Sequence, residues 1–327
     1  MEHFTIFRKR KALWLLILLG AFIYLNNTSI LAQHRFGKPL LLAHRGLAQT
    51  FSMEGITGNT NTAQRIFPPE HSYLENTIPS MEAAFQAGAD IVEFDIQSTK
   101  DEQFAVFHDA ELNYRTEHSG AVKDYTMSEL KQMDVGYNYT ADQGQTFPFR
   151  GKGIGLMPSL DEVLTHFPER SFLIHIKTNE AQDGELLAQY LAKQSKARLT
   201  QLAVYGGDRP IAVLQQRLPQ LRVMSMTTLK EALLSYAAVG WIGYIPESCR
   251  NTELHIPLTY AHFLWGWPDR FLNRMDSVNT RVFVVAGDGE FSEGFDTAAD
   301  IKLLPSNYTG GIWTNRIDRI GPLFGKR

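Results

Sequence analysis

Residues 90–97 read "DIVEFDIQ", and the way they alternate decides the fold. Strand side chains point to opposite faces with a period of two. Val92, Phe94 and Ile96 therefore share one face, while Glu93, Asp95 and Gln97 share the other. In a closed barrel the first set meets surrounding helices and the second points inward, near the strand's C-terminal end. The chain runs on through "STKDEQFAVFHDAEL" (98–112) and brings back His108 and Asp109 within one turn and strand. "SFLIHIK" (171–177) repeats the arrangement, with Phe172, Ile174 and Ile176 apolar and His175 and Lys177 opposite. "PLLLAHRG" (39–46) stays apolar until His44 and Arg45 at its tip. Taken singly, a Glu-x-Asp pair is more often a solvated face, a His-Asp pair a turn, and a strand-end lysine a structural or solvated group. Burying such groups is costly unless they are paired or bind a cation. Three strands with polar ends therefore predict one shared polar site.

Outward from these strands, short β-rich runs alternate with helical patterns. Further strands are expected at "QLAVYGG" (201–207), "LRVMSM" (221–226), "ELHIPL" (253–258), "RVFVVAG" (281–287) and "GGIWTN" (310–315). Helices are expected at "PSMEAAFQAG", with Pro79 in the first turn and Gly88 as a stop, and at "SLDEVLTHF", "GELLAQYLAKQ", "RPIAVLQQRL" and "TLKEALLSYAAVG". Strand-then-helix repetition argues for a parallel sheet. Eight strands fit a (β/α)8 TIM-type barrel of about 250 residues. Two long segments, 47–74 and 110–158, interrupt the repeat and are expected at the catalytic face as lid, pocket or plain surface excursion. The stretch "HFLWGWPDRF" (262–271) reads as a core helix or an apolar substrate contact.

The chain has 327 residues, 44% hydrophobic and 20% charged, with a net charge of −3. That is globular composition with no electrostatic pointer to nucleic acid. A single cysteine, Cys249, excludes a disulfide within the chain and a cysteine-rich zinc site. At the N-terminus, Arg8, Lys9, Arg10 and Lys11 precede an apolar run from Ala12 to Leu25, and no charge follows until Arg35. Residues 1–34 are therefore expected to form a signal anchor or transmembrane segment, with the barrel at 35–327. A cleaved signal peptide is the rival, although Ile30 and Ala32 make a poor cleavage site. Basic residues before the span keep that end cytoplasmic, so either reading puts the barrel on the extracytoplasmic side, membrane-attached or secreted.

"AHRG" (43–46), the stretch from "ENTIPSMEAAF" to "VFHDAEL" (75–112), "IHIK" (174–177) and "GGIWTNRID" (310–318) together resemble the glycerophosphodiester phosphodiesterase family. The likeness runs in order over roughly residues 39–320 and is most specific at 75–112. It implies a metal-dependent (β/α)8 barrel that cleaves glycerophosphodiesters to glycerol 3-phosphate and an alcohol. It also implies roles for residues: His44 and His108 as general acid and base, and Arg45 and Lys177 against the phosphate. Glu75 is an acidic residue of the same substrate pocket. Glu93 and Asp95 are implied as carboxylate ligands of a divalent cation, calcium or magnesium above all. The chemistry agrees with this, because a cation and two basic side chains stabilise charge building up on a phosphodiester.

One position departs from the family pattern. The third metal ligand is usually a glutamate two residues before the strand-end lysine, and here it is His175. Imidazole suits manganese or zinc better than calcium or magnesium. His175 is thus either a ligand for a softer metal, or one that holds metal weakly with an acid such as Glu70 helping, or a sign of reduced activity. Two alternative functions stay open: a lysophospholipase-D-like hydrolase of membrane lysolipids, and a catalytically silent, membrane-anchored barrel serving as a binding scaffold. A phosphoinositide-specific phosphodiesterase on the same barrel fits the metal set less well.

Overall fold

The computed structural model describes residues 2–33, 35–58, 60–288, 293–306 and 308–325. Nine strands form one sheet: β1 (Leu40–His44), β2 (Ile91–Ser98), β3 (Phe104–Val106), β4 (Ser171–Ile176), β5 (Leu202–Gly206), β6 (Arg222–Met224), β7 (Glu253–Pro257), β8 (Arg281–Val285) and β9 (Gly311–Thr314). Eight are parallel, in the order β6-β5-β4-β2-β1-β9-β8-β7, and β3 folds back antiparallel onto β2. The circle closes between β6 and β7 through single links. The Val223 N–H donates to the Asn251 carbonyl at 3.3 Å, and the Thr252 hydroxyl donates to the Val223 carbonyl at 2.7 Å. This is the expected (β/α)8 barrel, with every expected parallel strand in place.

The period-two reading of the strands holds. Leu41, Ala43, Val92, Phe94, Ile96, Phe172, Ile174 and Ile176 join the layer packed against the helices. Leu42, Ile91, Leu173, Ala203, Phe283, Val285 and Trp313 fill the interior. Above that interior plug, the register sets His44 beside Glu93 and Asp95 beside His175, with His175 beside Tyr205 in turn. The polar tips of neighbouring strands thus form a continuous wall over an apolar floor. The helix Ile78–Gln86 begins with a capping box at Thr77 and stops at Gly88, whose φ is +108°.

Segments 47–74 and 110–158 share a second hydrophobic cluster, in which Ala63, Ile66 and Leu74 pack with Leu112, Leu130, Tyr139 and Phe149 around Phe107. Residues 262–271 are not one core helix. Phe263 is 82% exposed, a helix begins only at Asp269, and Phe271 alone of the stretch's phenylalanines is buried.

The N-terminal apolar run lies in the helix Glu2–Asn27, with Leu13 to Leu19 exposed. No helix among the described residues is long and apolar enough to cross a membrane, so the expected transmembrane span is not shown. The helix end is fastened to the barrel instead. Arg274 donates to the Asn26 carbonyl (2.9 Å) and to Asn27 Oδ1 (3.1 Å), while Arg270 donates to the Leu31 carbonyl (3.2 Å). Guanidinium groups at a helix C-terminus satisfy its free carbonyls and complement its dipole.

Candidate active site

The site starts from the turn after β1. Arg45 adopts φ +56°, an uncommon conformation for a residue with a side chain, and Gly46 follows at φ +79°. A Cβ on Gly46 would lie 2.6 Å from Ser80 Oγ, so only glycine lets the turn press against the helix at 78–86. In this turn the Arg45 N–H donates to Glu93 Oε2 at 3.1 Å, and its guanidinium reaches Glu75 Oε1 at 3.0 Å and Asp95 Oδ2 at 3.4 Å.

His44 is held from behind. Asn315 donates its amide Nδ2 to Asp296 Oδ2 at 3.0 Å and its backbone N–H to Asp296 Oδ1 at 2.6 Å. That fixes the amide so that its Oδ1 faces His44 Nδ1 at 2.6 Å. The His44 proton therefore sits on Nδ1, and the Nε2 lone pair accepts from Arg45 Nε at 3.1 Å. Burial, then the Arg45 charge, hold the His44 imidazole well below its ordinary pKa.

His108 approaches from the other chain pass. Gln97, one of the inward set on β2, donates to the carbonyls of Phe107 and Asp109 at 3.0 and 2.8 Å and pins the peptide on either side of His108. His108 Nδ1 pairs with Asp109 Oδ1 at 3.0 Å. Asp109 in turn takes a 2.7 Å hydrogen bond from Arg115 Nε, and although burial opposes it, that guanidinium keeps the carboxyl below the ordinary range. His108 is also lowered, by burial and Arg45, but less strongly than His44, with Asp95 and Asp109 pulling the other way.

Between the histidines lie Glu93 and Asp95, 0% and 1% exposed. Asn76 clamps Asp95: its Nδ2 donates to Oδ2 at 2.9 Å and its Oδ1 accepts the Asp95 N–H at 3.1 Å. Tyr205 donates its hydroxyl to Glu93 Oε1 at 2.7 Å. His175 Nδ1 stands 2.9 Å from Asp95 Oδ1 and 3.9 Å from Glu93 Oε1, and its ring stacks on Tyr205 at 4.0 Å. Lys177 Nζ lies 3.7 Å from Asp95. Two carboxylates crowded together in a buried site resist holding two charges. Burial and the nearby Asp95 push the Glu93 carboxyl up, while Asp95, despite burial, is held low by His108, Lys177 and Arg45. Glu93, Asp95 and His175 present one ligand atom each within 4.8 Å of one another, and this O,O,N set, with both carboxylates buried and the imidazole partly exposed, fits a divalent cation.

All eight residues singled out in the sequence meet here, though not in one capacity. Glu75 is occupied by Arg45 and by Arg115 Nη2 (3.3 Å), so in this arrangement it holds the two arginines. Glu70 is outside the cluster: its side chain is 58% exposed and paired with Arg316 and Arg319. The sequence reading missed Asn76, Arg115, Tyr205, Asp296 and Asn315. Tyr205 was detectable as the inward position of β5, and Asn76 and Asn315 lie inside stretches already quoted. No pattern marks Arg115 or Asp296.

The glycerophosphoryl diester phosphodiesterase family model matches residues 44–240. A glycerophosphodiester phosphodiesterase of Bacillus altitudinis is 40% identical over 132 residues, covering 40% of this chain and 45% of that protein. One from Bacillus subtilis is 28% identical over 241 residues, covering 67% of this chain and 81% of its own length. Among solved structures, the glycerophosphoryl diester phosphodiesterase domain of a Mycobacterium tuberculosis protein superposes with a TM-score of 0.60 at 16% identity, over 86% of this chain and 97% of that one. The chain therefore belongs to the glycerophosphoryl diester phosphodiesterase family of phosphoric diester hydrolases.

Proposed function

We propose that this protein hydrolyses glycerophosphodiesters to glycerol 3-phosphate and an alcohol, with His44 as general base and His108 as general acid. The observation that carries this reading is that two histidines, each with Nδ1 held by a polar partner, both feel the charge of the buried Asp95 carboxylate, and His44 also stands 3.9 Å from Glu93. His44, held further below its ordinary value and with a fixed Nε2 lone pair, is suited to take the proton from the attacking hydroxyl, either of water or of the substrate's glycerol, the latter giving a cyclic phosphate that water then opens to glycerol 3-phosphate. His108, backed by the Asp109 carboxylate, retains a proton more readily and gives it to the departing alkoxide. One P–O bond forms, the other breaks, and the alcohol leaves neutral. Arg45 releases His44 when a phosphate oxygen offers its guanidinium a better acceptor, and Lys177 adds a second positive charge. A divalent cation held by Glu93, Asp95 and His175 would neutralise charge on the phosphoryl oxygens.

Beside His108 and Lys177 opens a groove of roughly 820 Å³, lined by Gln97, Ser98, Thr99, Glu102, Asn179 and Gln182 among others. Its polar wall suits a small hydrophilic alcohol better than an acyl chain. That places lysolipids second. The test is side-by-side turnover of glycerophosphocholine and lysophosphatidylcholine. Glycerol 3-phosphate from the first, lost in His44→Ala and His108→Ala, supports the reading. A strong preference for the lysolipid would contradict it.

The placement of the barrel outside the cytoplasm belongs to the same proposal. It is supported by the basic cluster ahead of the apolar run and by the exposed apolar side chains of the N-terminal helix. Protease shaving of intact cells should degrade the barrel, and full protection would contradict this placement.

A further inference from the structure

Resting on that reading of the site, we infer that the cation it takes is a transition-metal ion of the manganese-to-zinc kind, in preference to calcium or magnesium, and that His175 sets the choice. Calcium and magnesium are hard ions that favour an all-oxygen shell, whereas imidazole nitrogen suits first-row transition ions. What decides the matter is which donors are free to reach the ion.

Each carboxylate that would restore an all-oxygen set is committed elsewhere. Glu75 is shared between Arg45 and Arg115, Asp109 between Arg115 and His108, and Glu70 lies on the surface in the grip of two arginines. Among the described residues, Glu93, Asp95 and His175 are the group of His, Cys, Asp and Glu side chains gathered closely enough to hold an ion. The third donor is therefore nitrogen.

That nitrogen is also prepared for the task. The 16° angle between the stacked His175 and Tyr205 rings fixes the imidazole plane. The register of β2, β4 and β5 puts Nδ1 in front of both carboxylates. In this structure Nδ1 donates to Asp95 Oδ1 at 2.9 Å, and an ion would take the place of that proton, with the imidazole hydrogen moved to Nε2. Tyr205 orients two ligands together, by stacking on His175 and by its hydrogen bond to Glu93. Asn76 orients the third. Outer partners of this kind are what hold a site in a preferred geometry.

The experiment is calorimetric titration of the metal-stripped full-length protein with Mn2+, Zn2+, Ca2+ and Mg2+, repeated on His175→Glu and Glu93→Ala. Manganese and zinc should bind at least about 10-fold more tightly than calcium and magnesium. His175→Glu should shrink that gap, chiefly by strengthening calcium and magnesium binding, and Glu93→Ala should weaken all four ions. Calcium or magnesium binding as tightly as manganese in the unmodified protein would overturn the inference, as would tight manganese binding that survives Glu93→Ala. The unmodified protein's ranking is informative even if His175→Glu does not fold. Because the readout is heat of binding, the expected ranking without any turnover would sustain this inference while contradicting the hydrolase reading.

Discussion

At the residue scale the account turns on how each histidine is held. Asn315 presents its Oδ1 to His44 Nδ1 because its amide Nδ2 and its backbone N–H are both directed at Asp296. Asn315→Leu removes the acceptor that fixes the tautomer. It should lower kcat with little change in KM, by less than the roughly 100- to 10,000-fold expected for losing the base itself. Steady-state kinetics beside His44→Ala checks this. The pH profile carries a second expectation. An imidazole held below its ordinary value stays neutral, and so able to accept a proton, at lower pH. The acidic limb of kcat/KM should therefore fall below about pH 6.5, the value for an unperturbed histidine. A limb above that value would count against His44 as the limiting group and point to the raised Glu93 carboxyl instead. His44, Arg45, Glu93, Asp95, His175 and Lys177 were legible because each sits where an apolar alternation is broken, whereas His108 and the roles of all seven came from the family resemblance. The groups that hold them were not legible. Asn315, which Asp296 holds, lies far along the chain from His44, and their contact exists only once β9 pairs with β1.

At the element scale, the turn between β1 and its helix is the most demanding piece of backbone. Gly46→Ala must place a side chain at positive φ and against Ser80, at a cost of roughly 1–3 kcal/mol. Thermal unfolding of the variant should show this loss, and it should also weaken catalysis by displacing Arg45. The strands could be read from their sequence because inward and outward residues differ in polarity at every second position. Residues 262–271 were read as a core helix or an apolar substrate contact; Phe271 is buried and Trp265 and Trp267 pack against the core, but the helix begins only after Pro268, at Asp269. Segments 47–74 and 110–158 carry no regular period. Their shared core around Phe107, and the reach of Arg115 to Glu75 and Asp109, come from tertiary packing alone.

At the scale of the whole molecule, the barrel is polar at both poles. Opposite the site, where the strands begin, Glu253 is fully buried and pairs with Arg281 and with His255 at 3.5 Å. Burial works against the Glu253 charge, but Arg281 holds the carboxyl below its ordinary value. A carboxyl lowered on folding contributes stability that is complete above its unfolded value, near pH 4.5, and is lost as the pH falls through the folded one. Arg281→Met should therefore destabilise the barrel by about 3–5 kcal/mol at neutral pH, because it strands a buried charge. The difference from the unmodified protein should shrink as the pH drops, which melting curves across pH would record. At the other pole, the proposed reaction rests on the two buried carboxylates, Glu93 and Asp95. The most direct measurement is glycerol 3-phosphate release from glycerophosphocholine by the metal-stripped protein, before and after a divalent ion is restored, with Glu93→Ala alongside. The account predicts activity that vanishes on stripping, returns with the ion and is absent in Glu93→Ala. Release that persists without metal, or in Glu93→Ala, would contradict it.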